Sequence, residues 1–162
     1  MRLIPALLAL ASVMAPCAVS AQDQPSNPII LAEHPTPDGV ACGISKNFIE
    51  AIAQLYLMEQ KLTPGSKDDP GRHYYLHLAT TTKRVAGQCV TYNSVRILTF
   101  QGHDITPDIS VFGQYVMGEK GYLFSTIDDP DFHSRTLAWD LSENIDAAFR
   151  NYASNASMTQ SE

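Results

Sequence analysis

The chain has 162 residues, 44% hydrophobic and 17% charged, and its 17 acidic against 11 basic side chains give a net charge of −6. An acidic balance of this size argues against nucleic acid and against anionic membranes as partners, because both reward Lys and Arg. It suits a basic protein partner or a cation, and more simply a soluble domain kept apart by its own charge.

Met1-Arg2 supplies a positive start, residues 3–13 are almost unbroken apolar sequence, and Ala18-Val19-Ser20-Ala21 places small residues before the polar Gln22-Asp23-Gln24. This pattern predicts a secretory signal peptide over 1–21. The apolar run is too short to span a bilayer, so no stable membrane insertion is expected. Cleavage removes Arg2 and no acid, leaving 141 residues with ten basic and seventeen acidic side chains, a charge of −7. The periplasm of a bacterium is the expected compartment and secretion the next. Lipid anchoring at Cys17 is not expected, because Met14-Ala15-Pro16 before it is a poor lipoprotein signal.

Two cysteines remain, Cys42 and Cys89. In an oxidising compartment their simplest use is a disulfide. Closing a loop of about 48 residues stabilises by roughly 4 kcal/mol on chain-entropy grounds.

Residues 22–41 carry Pro25, Pro28, Pro35 and Pro37 and read as an extended arm without helix, in which Ile29-Ile30-Leu31 is available as an edge strand. The clearest element follows. Ser45 is a good N-cap, Ile44 and Ile49 form a hydrophobic staple, and Phe48, Ile52, Leu55, Tyr56 and Leu62 recur at helical spacing. Thr63-Pro64-Gly65 stops this helix, and 66–71 is a turn-rich loop.

The period then changes to two: Tyr74, Leu76 and Leu78 alternate with His73, Tyr75 and His77. A turn at Ala86-Gly87-Gln88 leads to a strand over 89–100, whose imperfect alternation implies a bulge or burial on both faces. Further strands are predicted at 109–117, at 122–127 after a turn at Gly118-Glu119-Lys120-Gly121, and at 135–139. A final helix starts near 141, with Asp140 and Glu143 as a capping box and Leu141, Ile145, Ala148, Phe149 and Tyr152 as its apolar stripe. Residues 154–162 read as a polar tail. The expected fold is α+β: an antiparallel meander of four to five strands with an N-terminal and a C-terminal helix on one face, in one domain over 42–153.

Candidate chemistry is sparse. His73 and His77 have a metal-like spacing, but on a strand they stand about 13 Å apart. His73, Tyr75 and His77 therefore form a candidate binding strip rather than a metal pair. Asp128-Asp129-Pro130-Asp131-Phe132-His133 concentrates carboxylates and an imidazole, and His103-Asp104 with Asp108 is a second such group. If the two met, His103, Asp104, Asp129, Asp131 and His133 would form a metal-binding rim. A polar loop with a proline turn is the simpler reading of 128–133. Trp139 and the seven tyrosines are read first as core or half-buried strand residues.

No nucleophile elbow, phosphate-cradling glycine loop, His-Glu-x-x-His or Cys-x-x-Cys is present, and no cofactor is expected. The leading expectation is an exported binding or accessory protein without chemistry of its own, partnered by another envelope or secreted protein. A small-ligand or metal binder using the His/Asp loops is the alternative. A hydrolase with a site assembled in space is a third.

Overall fold

The computed structural model describes residues 27–66, 74–106 and 109–159, with backbone alone for 101–106, 109–112 and 156–159. The predicted signal peptide, most of the 66–71 loop, His73 and Asp108 lie outside the described residues. The element order is β1 (Ile29–Ala32), α1 (Pro37–Ala41), α2 (Lys46–Glu59), β2 (Tyr74–Val85), β3 (Gln88–Thr106), β4 (Ile109–Ile127) and α3 (Pro130–Thr159). One four-stranded sheet has the order β1-β2-β3-β4. The architecture is therefore mixed α+β.

The expected antiparallel meander holds for β2, β3 and β4, while β1 pairs parallel to β2, with Ile30 opposite Leu76 and Ala32 opposite Leu78. A parallel pair requires a crossover, and α1 and α2 are that connection. The prolines of the arm do not exclude a helix. Thr36 caps α1, its hydroxyl accepting from Gly39 N, and Pro37 takes the first helical position, where a missing N–H costs nothing.

Helix α2 forms as its sequence implies. Ser45 Oγ accepts from Phe48 N at 3.2 Å. The far end closes with Lys61 at φ 59° and Leu62 N donating to Leu57 O at 2.8 Å. This is a Schellman closure, with Leu62 turned back onto the core. The buried stripe is Ile49, Ile52, Ala53, Tyr56 and Leu57; Leu55, expected in it, is 60% exposed. Leu57 takes the inward position because it continues the Ile49–Ala53 line at four-residue steps.

The β2–β3 hairpin turns on Ala86 and Gly87, both at positive φ, with Val85 paired to Gln88. Two consecutive left-handed residues match the twist of the strands they join. In β3, Ile97 and Leu98 point to opposite faces and are both buried, accounting for the imperfect alternation, while the register shift beside them leaves Met117 as an extra residue on β4.

The second half of the chain departs most from expectation. β4 runs unbroken through Gly118 and Gly121, where a turn was predicted. The glycines serve close approach. A Cβ on Gly118 would strike the Ala148 carbonyl and stand 2.9 Å from Tyr152 N, so α3 rests directly on the strand there. Tyr92 lies over Gly121 in the same manner. The predicted strand at 135–139 and tail from 154 belong instead to α3. That helix starts at Asp129, whose Oδ1 accepts from Asp131 N and Phe132 N, with Pro130 at the first helical position. Asp140 and Glu143 are consequently interior to the helix and cap nothing.

Both long helices pack on one sheet face. Leu76, Leu78, Val95 and Ile97 meet α2 and α3 in a single core with Leu57, Leu137, Leu141, Ile145 and Phe149. Asn151 and Asn155, one turn apart on α3, donate to the carbonyls of Glu119 and Met117 on β4. These side chains occupy acceptors that an edge strand would otherwise offer to another chain. No described helix is long and apolar enough to cross a membrane.

Candidate functional site

The first candidate is the sheet face that neither helix covers. Tyr75 and His77 alternate with the inward Leu76 and Leu78, so they stand on this bare face as the candidate strip requires. The strip is partnered rather than free. The Tyr75 ring meets Phe100 edge-on at 5.2 Å, and His77 Nε2 lies 3.0 Å from Glu33 Oε1. The same face carries Tyr92, Phe100, Val116 and Leu123, which are 46%, 50%, 50% and 62% exposed. Cross-strand register puts Tyr92 opposite Leu123 and Leu98 opposite Val116. Between these pairs Arg96 Nε donates to Glu119 Oε1 at 2.8 Å. An ion pair framed by exposed aromatic and aliphatic side chains is the composition of a contact surface.

The metal-binding rim does not assemble. His103 and Asp104 pair with Val111 and Ser110 inside the β3–β4 ribbon instead of lying in a loop. His133 is at the other end of the sheet, bonded to Thr91. The twelve strand steps from Thr91 to His103 span about 40 Å. Asp129 is the helix cap and Asp131 lies in the first turn of α3, where a carboxylate complements the helix dipole. Three metal-type side chains do gather, Cys42, Cys89 and Asp128, with ligand atoms within 4.8 Å. They offer no metal site, because the two sulfurs are joined in a disulfide with Cα atoms 6.2 Å apart. Asp128 touches Cys89 Sγ at 3.7 Å and pairs with Arg84.

His133 is fully buried and both ring nitrogens are engaged, Nε2 with Thr91 Oγ1 at 2.8 Å and Nδ1 with Thr126 Oγ1 at 2.7 Å. Thr82 Oγ1 continues the chain to Thr91 at 2.7 Å, and Phe124 lies against the imidazole. Burial lowers the His133 pKa, so the ring is held neutral, one nitrogen donating and the other accepting. A His–Thr constellation of this kind resembles a general-base arrangement, but it is sealed from solvent and a substrate has no path to it. Its work is structural: it joins β2, β3, β4 and the first turn of α3 beside the disulfide.

The second candidate was not foreseen. A groove of about 760 Å³ runs between β4 and α3, lined by Lys120 and Tyr122 from the strand and by Trp139, Asp140, Glu143 and Asn144, among others, from the helix. Trp139, read as a core residue, is 69% exposed at its rim. Further along, Asp146 is taken up by Arg150 and by Tyr56, whose hydroxyl donates to Oδ1 at 3.1 Å. Burial, with the nearby Glu143 charge, raises the Asp140 pKa above the ordinary carboxylate value. Trp139 joins Asp140, Glu143 and Asn144 on this wall only because 135–139 is helical. Reading that segment as a strand separated Trp139 from them.

No protein-family model matches this chain, and no curated protein sequence resembles it significantly.

Proposed function

We propose that this chain is an exported binding module that acts through protein–protein contact and carries no chemistry of its own, with the bare sheet face as its contact surface. The observation that carries the reading is the exposed group Tyr92, Phe100, Val116 and Leu123 on a face left open by a fold that spends both long helices on the other side. Apolar side chains gathered in this way lose water when a partner covers them, whereas single exposed ones need no explanation. The net negative charge favours a basic partner. The Cys42–Cys89 disulfide suits the periplasm, which we take as the compartment ahead of secretion.

The test is site-specific photo-crosslinking in the native cell. A photoreactive residue at position 123 should give a discrete crosslinked species, and one at position 55, equally exposed but on α2, should not. Identical patterns from both positions would dismiss the bare face as the contact surface. Native material should also begin at Gln22 and weigh two hydrogens less than the reduced chain.

A further inference from the structure

An open sheet has two edges, here β1 and β4, and this chain treats them differently. On β4, Asn151 and Asn155 occupy the carbonyls of Glu119 and Met117, and α3 rests on Gly118. The edge at β1 is open. In a parallel pair, alternate residues of a strand bond to their neighbour and the others point away. Glu33 N donates to Leu78 O at 2.9 Å, so Ile29, Leu31 and Glu33 face β2, while Ile30 and Ala32 turn their N–H and C=O groups outward. Among the described residues, no backbone bond reaches those four groups.

The residues that blunt an edge stand outside this stretch. Pro28 precedes it, its carbonyl already taken by Gly65 N at 3.0 Å, and Pro35 follows it. Between them Ile30-Leu31-Ala32 is apolar and half-buried. A hollow of about 410 Å³ lies along it, lined by residues 30–33, by His77 and, from the first turns of α2, by Lys46 and Glu50.

Donors and acceptors alternating along a strand select the occupant. A small polar molecule meets one or two of them. An extended peptide meets all four and lays its side chains alternately toward α2 and toward His77. Charge then chooses between a second copy and another protein. Lys46 and Glu50 pair with each other at 3.5 Å, which leaves the 56% exposed Glu33 carboxylate, beside His77, facing an incoming strand. With 17 acidic against 11 basic side chains, a copy of this chain is repelled, whereas a segment bearing Lys or Arg is attracted.

We infer that the β1 edge takes up an extended basic segment of another protein as a fifth strand of the sheet. The edge meets the bare face at His77, but its contacts are backbone bonds at Ile30 and Ala32, so either surface can fail without the other.

The test pans the disulfide-intact chain, from Gln22 onward, against a displayed library of random linear heptapeptides. Selection should return segments that carry Lys or Arg among alternating apolar residues. On binding, the Ile30 and Ala32 amides, quick to exchange in the free chain, should slow at least about tenfold by hydrogen-exchange NMR. Ala32→Pro deletes an outward N–H and leaves every bond to β2 in place, so it should stay folded by circular dichroism and melting. It should weaken the peptide at least about tenfold by calorimetry. Leu123→Ser on the bare face should leave binding unchanged. N-methylation along the synthetic peptide gives a second reading with the protein untouched: alternate amides should be intolerant and those between them tolerant. The proposal is overturned if no peptide is selected, if the selected ones lack Lys and Arg, or if Ala32→Pro or the methyl scan leaves affinity unaltered. A dimer in sedimentation that Ala32→Pro dissociates would assign the edge to a second copy and overturn it equally.

Discussion

Along β2, Leu76, Leu78, Thr80 and Thr82 point beneath the helices, while Tyr75, His77, Ala79 and Thr81 point away from them. The same alternation continues into β3, where Val95 and Ile97 are buried in the core and Tyr92 and Phe100 are half exposed. The two sets share a backbone, a register and a similar share of large apolar side chains. They differ in what lies above them. On the inner face each apolar side chain meets α2 or α3; on the outer face its neighbours are other side chains of the same sheet. A pleated strand sorts residues into two faces, but only the packing of another layer makes one of those faces a core.

The inner face is itself divided. Its middle is apolar, whereas toward the β2–β3 turn it becomes Thr82, Thr91, Asn93 and Thr126 with His133 and Asn144, held by hydrogen bonds. The disulfide closes the same end. Replacing both Cys42 and Cys89 with serine should have the largest effect of any test, a loss of about 4 kcal/mol. A melting temperature lower by roughly 12 °C measures it. A drop of only a degree or two would mean that the hydrogen-bonded end holds without its crosslink.

Truncation separates the two faces directly. Leu141→Ala empties a fully buried position between α3 and the sheet and should cost about 3 kcal/mol in urea unfolding. Leu123→Ala on the bare face should change stability by less than about 0.5 kcal/mol. Equal costs would show that the bare face is packed.

The polar end carries a pH dependence. His133 is neutral and its folded pKa is lowered, so on acidification the unfolded chain takes up a proton near pH 6.5 that the folded chain refuses. Its stability contribution is present above that pH and is lost as pH falls from about 6.5 toward the folded pKa. Chemical denaturation between pH 7.5 and 5 should show this decline, and a His133→Gln variant should flatten it.

Asp140 has the opposite sign. Its folded pKa is raised, so as pH climbs past the ordinary carboxylate range the unfolded chain ionises first and stability falls. Asp140→Asn should therefore raise the melting temperature slightly at pH 7 and leave it unchanged at pH 3. The smallest effect belongs to Leu55→Asp. The helical spacing of the sequence places Leu55 in the core, where a charge would unfold the domain, but in the structure it faces solvent. A change within about 0.5 kcal/mol is expected by the same melting assay.

The candidate sites were legible to different degrees. Tyr75 and His77 were readable as a strip because their face depends only on strand alternation. Their companions Tyr92, Val116 and Leu123 were not, since joining them requires the register of three strands. The metal-binding rim looked plausible because His and Asp cluster twice in the sequence. The backbone keeps them apart: His103 and Asp104 lie far along the β3–β4 ribbon, whereas 129–133 opens α3 at the other end of the sheet. The groove was hidden by a single local misreading: the β-prone run Arg135-Thr136-Leu137 masked a helix start signalled clearly by Asp129-Pro130-Asp131.

What this sequence determined alone is what local chemistry decides within a turn or two of chain. Ser45 begins α2, the Ala86-Gly87 pair turns the hairpin, and alternation along β2 sorts its two faces. The pairing of Cys42 with Cys89 also followed, because no other partner remained after residue 21. Tertiary structure decided the rest through contacts between residues far apart in sequence. Gly118 continues a strand because the α3 backbone at Ala148 and Tyr152 lies against it. Residues 135–139 are helical because Leu137 continues the buried line of Leu141, Ile145 and Ala148 over the sheet. Local preferences there were weak, and burial of that stripe outweighed them.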